Sequence, residues 1–501
     1  MKSTLMVSEV FKGKLNVEEI INNFFLTPKI IANIDYKNYL GVDWAVLFLK
    51  KRKELVYLLG VWLGDGSKTI PGFEISIAFI NKNFQNNLNS FIKKIFPISN
   101  FRYTGGKTQT CYFSNIFILQ QFFQYLLQNQ LVYNYIEEYG ESFLAGFLDT
   151  DGSVYFGSQG KKHTSYVWKV EFYNYDLYKI NLITQLLDKL NIPFYLYNQK
   201  NYNNKQGKHI ENSFTIKCNG LYGYVLGKSI FPYMKNGMKK EKLIKLFQWL
   251  DNRLKEYKLP IQEVFSSING EGISIGHPQL FIRVFGCNAG CSVCDTKYSA
   301  PLIKNKQNVL YPHHAGRYKL LSLKSLSKLI KESSLDEVCL TGGEITLYPD
   351  KIATLIAYIR GLGKKVVIQT NGIHYNPVIY GLSNVIALDL KTPTMCSTYP
   401  ILKVYNNIKF LKAKDEIKTL ISNNKDWHFA LKINEKVKEI GCTHVLQPLD
   451  LTNCIDKEDR EKKYFDKVKW LIEKVVNSNL FNPRVSIQLH KLIWGFDRRG
   501  V

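Results

Sequence analysis

A chain of 501 residues is longer than a single hydrophobic core organises, so two or more domains are expected. With 45% hydrophobic and 14% aromatic residues the composition is globular, and no uninterrupted apolar run approaches the roughly 20 residues that span a bilayer, which argues against a helical membrane protein. The formal charge of +25 invites nucleic acid as a partner, but it divides almost evenly, +13 in residues 1–258 and +12 in residues 259–501, so charge alone does not say which half would bind it. The start, Met1-Lys2-Ser3-Thr4, lacks the apolar core of a signal peptide, and a cytoplasmic location, where free thiols survive, is expected.

Residues 1–53 contain a helical-looking stretch, Val17-Glu-Glu-Ile-Ile-Asn-Asn-Phe-Phe25, and end in the basic run Lys50-Lys-Arg-Lys53; no chemistry attaches to them. Next comes Leu58-Leu-Gly60-Val-Trp-Leu-Gly64-Asp65-Gly66, and 86 residues later Leu144-Ala-Gly146-Phe-Leu-Asp149-Thr-Asp151-Gly152. Each nonamer is followed by an alternating strand (74–79; 168–172), a helix (83–95; 178–190) and basic, Tyr-rich strands, so two similar units stand in tandem. Gly60 and Gly64 share one helical face, as do Gly146 and Thr150, so two helices can cross with their backbones nearly touching and bring Asp65 and Asp151 side by side. Two carboxylates so placed repel unless a cation lies between them. Divalent metal ions fit, and such a centre can bind a phosphate, activate water and stabilise the departing oxygen. One such nonamer could equally be a buried helix ending in an Asp-Gly turn; its repetition favours the metal centre.

The nonamers resemble those of the LAGLIDADG homing endonucleases in single-chain, two-motif form, over roughly residues 54–252. The resemblance implies an α+β pseudo-dimer of two αββαββα-type repeats, strands lying in the major groove of double-stranded DNA, and catalytic Mg2+ held by Asp65 and Asp151. Leu63 stands where the second motif has Asp149, a position that is not the metal ligand. The family also uses a lysine near the end of a repeat to polarise the attacking water; Lys239 is the candidate, with Lys107 its counterpart in the first half. Lys, Asn, Gln and Tyr interleave in residues 200–209, side chains suited to phosphates and base edges, although an exposed polar loop reads the same way. LAGLIDADG modules also occur within inteins, but no His-Asn junction before Cys, Ser or Thr lies in residues 251–261, so one continuous chain is expected.

After a polar helical linker (253–258), residues 259–501 form a second domain in which strand-like segments alternate with helices: 280–285, 337–340, 365–369, 385–390, 428–433, 444–447 and 485–489. That order predicts an α/β parallel sheet curled into a partial barrel, with chemistry at the carboxyl ends of its strands. Cys287, Cys291 and Cys294 follow the first strand, three of nine cysteines within eight residues, while the other six are scattered singly. Gly286 and Gly290 let that loop wrap a metal centre. Three ligands without a fourth nearby suit an iron–sulfur cluster with one open iron better than a closed zinc site. Thr341-Gly342-Gly343-Glu344 and Asp389-Leu390-Lys391 sit at later strand ends.

Cys-x3-Cys-x2-Cys with Gly-Gly-Glu resembles the radical S-adenosylmethionine (SAM) enzymes, in which three thiolates hold a 4Fe-4S cluster and SAM chelates the free iron. Ser267-Ile-Asn-Gly-Glu-Gly272, Arg283, Cys294-Asp-Thr296 and Gln488-Leu-His490-Lys491 look like the 7-carboxy-7-deazaguanine synthases, over residues 259–501. That resemblance implies a 5′-deoxyadenosyl radical acting on 6-carboxy-5,6,7,8-tetrahydropterin, ring contraction with loss of ammonia, and assistance by Mg2+. By position it assigns the cluster to Cys287, Cys291 and Cys294, and Mg2+ to Thr296. SAM falls to Val293, Asp295, Gly343, Asp389, Leu390 and Lys391, and the pterin to Ile268, Asn269, Gly270, Arg283 and Thr341. Val293 replaces the usual aromatic residue, Asn269 a frequent Gln, and Ile345 the usual proline after Gly-Gly-Glu. The partners implied are the pterin, an external reductant and double-stranded DNA, with no membrane; a homodimer through the second domain is compatible with the resemblance.

Overall fold

The computed structural model describes residues 16–26, 42–66, 75–79, 82–103, 109–114, 116–159, 165–203, 209–292, 294, 318–449 and 457–495. Two compact units meet in sequence at Phe247 and Gln248, inside the helix Gly237–Glu256, which leads directly into the first strand of the second unit. No described helix is long and apolar enough to cross a membrane.

In the amino-terminal unit the helices Arg52–Asp65 and Gly140–Asp151 carry the two nonamers. Both are apolar nearly all round, as helices at the centre of a unit must be. A Cβ on Gly60 would stand 2.3 Å from the carbonyl oxygen of Phe143, and one on Gly146 would stand 2.1 Å from that of Tyr57, so each helix uses its glycine to touch the other's backbone at the equivalent place. The first repeat contributes β1 (Ile75–Phe79), β2 (Asn100–Tyr103) and β3 (Gln109–Ser114), paired in the order β1-β3-β2. The second contributes β4 (Gly152–Gln159), β5 (Ser165–Asn174), β6 (Tyr195–Asn203) and β7 (His209–Asn219), paired β4-β5-β7-β6 and all antiparallel. The helix Leu177–Lys189 lies between β5 and β6, and Leu221–Ile230 follows β7. The segment for which the sequence suggested no chemistry serves the core: Trp44 stacks on Phe96, and Phe48 stacks on Phe122 at 4.4 Å.

The second unit is built on one nine-stranded sheet. Its strands are β8 (Lys258–Ile268), β9 (Pro278–Val284), β10 (Lys319–Ser322), β11 (Glu337–Gly342), β12 (Lys365–Thr370), β13 (Val385–Leu390), β14 (Glu416–Ile421), β15 (Thr443–Pro448) and β16 (Pro483–Val485). The order is β10-β8-β9-β11-β12-β13-β14-β15-β16, parallel from β9 onward, with β8 and β10 antiparallel at one edge. Continuous apolar burial in β9, β11, β12 and β13 is what a parallel sheet covered by helices requires.

Two sequence expectations are corrected here. Residues 428–433, expected as a strand, lie within the helix Asn424–Ile440: Asn423 caps its start, and Trp427, Ala430, Ile433 and Val437 recur at helical spacing on its buried side. The strand that fills this place is β14, whose inward Glu416 and Lys418 disguise it as surface. The last strand ends at Val485, and Leu489 already opens the helix Leu489–Trp494.

Candidate functional site

The cysteine loop leaves β9 through Gly286, whose φ of 98° favours glycine. Three segments hold it. Glu344 donates its backbone N–H to the Gly286 carbonyl at 2.7 Å, and Gly343 lies so close that a Cβ there would meet that carbonyl at 2.0 Å. The Asn371 amide donates to the Asn288 side chain at 2.8 Å. The Cys396 thiol donates to the Ala289 carbonyl at 3.1 Å, beside two bonds from Ser292 to the Met395 carbonyl. Glu344 fixes the arrangement: its buried carboxylate accepts from Thr346 N–H, the Thr346 and Thr370 hydroxyls and Asn371 N–H, all within 2.9 Å.

Register gathers polar side chains on one face of this sheet. Arg283 is paired with Thr341 across β9 and β11, and the Thr341 hydroxyl donates to Gln369 on β12 at 2.6 Å. Arg283 itself is held by Glu263 at 2.6 Å. On the adjoining strands Asp389 pairs in register with Lys418, and a chain of alternating charge follows: Lys391 to Asp389 at 2.8 Å, Asp389 to Lys418 at 3.5 Å, then Lys418 to Glu271. Gln488 donates to the other oxygen of Glu271 at 2.9 Å. Burial alone would raise the Glu271 pKa, but Lys418 and then His490 outweigh it and hold this carboxyl well below its usual range. Burial likewise opposes the ammonium of Lys391, and Asp389 followed by Cys291 reverses the effect, so this lysine stays charged beside the thiols.

The loop after β8 closes the same face. Asn269 is buried, with its backbone N–H donating to the His277 carbonyl and its side chain accepting from Glu271 N–H. Leu489 N–H donates to the Gly270 carbonyl, and a Cβ on Gly270 would collide with His490 at 2.2 Å. Glu416, nearly fully buried, accepts from Ile273 N–H at 2.6 Å; burial pushes its pKa up to about 7 from an ordinary 4.5. A carboxyl raised in the folded state binds its proton more tightly there than when unfolded, so its contribution to stability falls as pH rises from about 4.5 to about 7. Glu416→Gln is expected to remove that slope, melting no lower than wild type at pH 8 and losing the advantage at pH 5; equal shifts at both pH values would refute it.

Do these residues fit the groups the sequence implies? Burial pushes the Cys291 thiol up to about 12, with Lys391 pulling the other way, and Cys294 acts electrostatically on both Cys287 and Cys291. Among the described residues no group of three His, Cys, Asp or Glu side chains is arranged to hold a single metal ion. A four-iron cluster binds each thiolate through a different iron, so three neighbouring thiols beside a lysine suit it in donor chemistry. Asp389 Oδ1 is buried with no hydrogen-bond partner, an orphaned acceptor that a ligand hydroxyl would satisfy.

The nonamer helices end in a second polar centre. Asp65 and Asp151 lie within hydrogen-bonding reach of each other, and Asn174 donates to Asp151 at 2.7 Å. Burial, then the Asp65 charge, pushes Asp151 up to about 7, a repulsion that a divalent cation would relieve; the oxygen donors fit such an ion. Lys239 donates to the carbonyls of Leu148, Asp149 and Thr150 at 2.7, 3.0 and 3.0 Å, neutralising the carbonyl end of the second motif helix. Lys179, also buried, does the same for the first through the Leu63 carbonyl. Asp149 turns away from the centre: its carboxylate accepts from the Tyr57 hydroxyl at 2.7 Å and from Lys235 N–H at 2.6 Å.

Comparison with known proteins finds a family match in each unit. Residues 281–461 match the Radical SAM superfamily, and residues 138–216 match the LAGLIDADG-like domain. A 7-carboxy-7-deazaguanine synthase of Thermoplasma acidophilum is 30% identical over 236 residues, covering 47% of this chain and 97% of the relative. The chain belongs to the 7-carboxy-7-deazaguanine synthase family. A synthase of Clostridium acetobutylicum is 29% identical over 246 residues, covering 48% of this chain and 98% of its own. Among solved structures, QueE from Escherichia coli aligns with 48% of this chain and 98% of its own at 21% identity and a TM-score of 0.34. I-DmoI bound to DNA and Ca aligns with 39% of this chain and 97% of its own at 11% identity and a TM-score of 0.27.

The radical SAM domain of this synthase-family chain is thus preceded by a LAGLIDADG-like domain. Of the expected synthase residues, Arg283 and Thr341 share a row, Asp389 and Lys391 are bonded to each other, and Gly343 abuts the cysteine loop. Leu390 is fully buried, and Ile268 ends β8. Val293, Asp295, Thr296 and Lys107 lie outside the described residues, as do residues 204–208 of the polar segment 200–209. Lys418, Glu271, Lys179, Asn174 and Cys396 were not singled out from the sequence. Lys179 could have been, as a lysine on the buried side of a helix with Ile180, Ile183 and Leu187, and Glu271 stands inside the motif of residues 267–272; the others give no local signal.

Proposed function

We propose that the carboxyl-terminal half converts 6-carboxy-5,6,7,8-tetrahydropterin to 7-carboxy-7-deazaguanine with release of ammonia, and that the amino-terminal half is a homing endonuclease acting on double-stranded DNA. The observation that carries the first reading is the single sheet face that gathers Arg283, Thr341, Asp389, Lys391 and Lys418. Cys287, Cys291 and Cys294 would hold the cluster, which when reduced by an external donor cleaves SAM to the radical that starts the reaction. Lys391 keeps positive charge beside the thiols, and the orphaned oxygen of Asp389 would accept from a hydroxyl of SAM when it is bound. Gly343, without a side chain, leaves its backbone open to a close ligand. Arg283 offers a planar fork to the pterin carboxylate, and Asn269 and Thr341 meet the pterin edge. By the family resemblance, Thr296 would supply an oxygen to Mg2+.

In the amino-terminal half Asp65 and Asp151 would hold divalent ions, which polarise the scissile phosphate and lower the pKa of an attacking water. Lys239, spent on three carbonyls, positions the second motif helix, and with it Asp151. Divalent-dependent cleavage of DNA carrying the uninterrupted synthase gene is expected, falling at least about 100-fold in Asp151→Asn with DNA binding retained. Cleavage unaffected by that change would overturn the metal assignment; binding without cleavage in the wild type would leave a DNA-binding module.

A further inference from the structure

The four-stranded sheet β4-β5-β7-β6 has two unlike faces. Val154, Val170, Phe172, Ile216 and Cys218 are buried on one. The alternate positions of β4, β5 and β7 carry Tyr155, Lys169, Glu171 and Lys217 on the other, beside the exposed Tyr195 and Tyr197 of β6. Lysines resting on tyrosine rings, Lys169 over Tyr155 at 5.5 Å and Lys217 over Tyr197 at 4.9 Å, suit a polyanion. Glu171 does not. It sits on the central strand β5, in register with Ser153 on one side and Lys217 on the other, where a carboxylate repels phosphate.

Its bonding suggests what it is for. The Tyr155 hydroxyl at 2.9 Å and the Lys217 ammonium at 3.3 Å both meet Oε1. Oε2 takes no donor among the described residues, and the side chain keeps 12% exposure, so this oxygen is oriented yet still reachable. An acceptor beside a cationic donor matches one edge in the major groove. Cytosine N4 donates to the carboxylate while O6 of the paired guanine accepts from the lysine. Adenine also presents an amino group, but its N7 acceptor stands alongside and repels a carboxylate, whereas cytosine has only C5–H there.

Resting on the DNA-binding reading of this half, we infer that Glu171, with Lys217, reads a C·G pair and so fixes one position of the recognised sequence. Asn174, which holds Asp151, ends the same strand three residues on, about 10 Å away at ~3.3 Å per residue. The position read therefore lies roughly three base pairs from the aspartate centre.

The test is selection of binding sequences from a random duplex pool by the full chain carrying Asp65→Asn, alone and combined with Glu171→Gln or Glu171→Ala. Without a change at Glu171, cytosine is expected at one position by at least about fivefold, Glu171→Gln should move that position toward adenine, and Glu171→Ala should flatten it, all others unchanged. Glu171→Gln keeps the size and an acceptor for Tyr155 and Lys217, so a folding defect, which would weaken every position, is separable. Identical sequence preferences in the three proteins, with affinity alone reduced, would show that Glu171 only braces the sheet and would overturn the inference. Failure of all three to enrich any sequence would overturn the DNA-recognition reading beneath it.

Discussion

Gly146→Ala is expected to lower the melting temperature of the amino-terminal unit by roughly 6–12 °C, corresponding to about 3 kcal/mol. The added methyl would stand 2.1 Å from the Tyr57 carbonyl oxygen and 3.0 Å from the Val61 nitrogen. Both are backbone atoms of a buried helix, so no side chain can rotate out of the way, and the helices must separate along their whole crossing. Separation would also part Asp65 from Asp151, so cleavage should suffer beyond the loss of folded protein. Gly237→Ala is the control, since a Cβ there meets nothing within 4 Å. The same small change in both variants, measured by thermal unfolding, would refute the close crossing.

Lys418→Met is expected to cost the carboxyl-terminal unit about 3–5 kcal/mol near neutral pH, the usual effect of removing one partner from a buried ion pair. Lys418 bridges Glu271 and Asp389; Asp389 keeps Lys391, but Glu271 is left with Gln488 and His490. In the wild type the depressed pKa of Glu271 gives stability that is present above its ordinary 4.5 and lost as pH falls toward the folded value. Without Lys418, burial dominates and raises the pKa, so the sign reverses. The deficit relative to wild type should therefore widen as pH rises from 4 to 7, and Glu271→Gln added to Lys418→Met should recover part of it. A pH-independent deficit would mean that Lys418 serves as packing alone.

What could be read from the sequence was local. Cys287, Cys291 and Cys294 lie within one loop, and Gly60 and Gly146 announce a close crossing because each repeats at the same place in its nonamer. Features made by distant partners were hidden. Lys418 and Glu271 are 147 residues apart, and Lys179 and the Leu63 carbonyl 116. β14 escaped notice for the same reason: its inward Glu416 and Lys418 are bonded in the loop after β8 and on β13, partners that no local pattern announces. Cys396 looked solitary, yet the fold lays it against the cysteine loop.

The synthase reading is tested most directly by iron content and product formation in anaerobically reconstituted full-length protein supplied with SAM, Mg2+, reductant and 6-carboxy-5,6,7,8-tetrahydropterin, beside Cys291→Ala. About four irons per chain with 7-carboxy-7-deazaguanine formed only by the wild type is the predicted result. A wild-type protein that binds the iron and cleaves SAM but leaves the pterin untouched would contradict it.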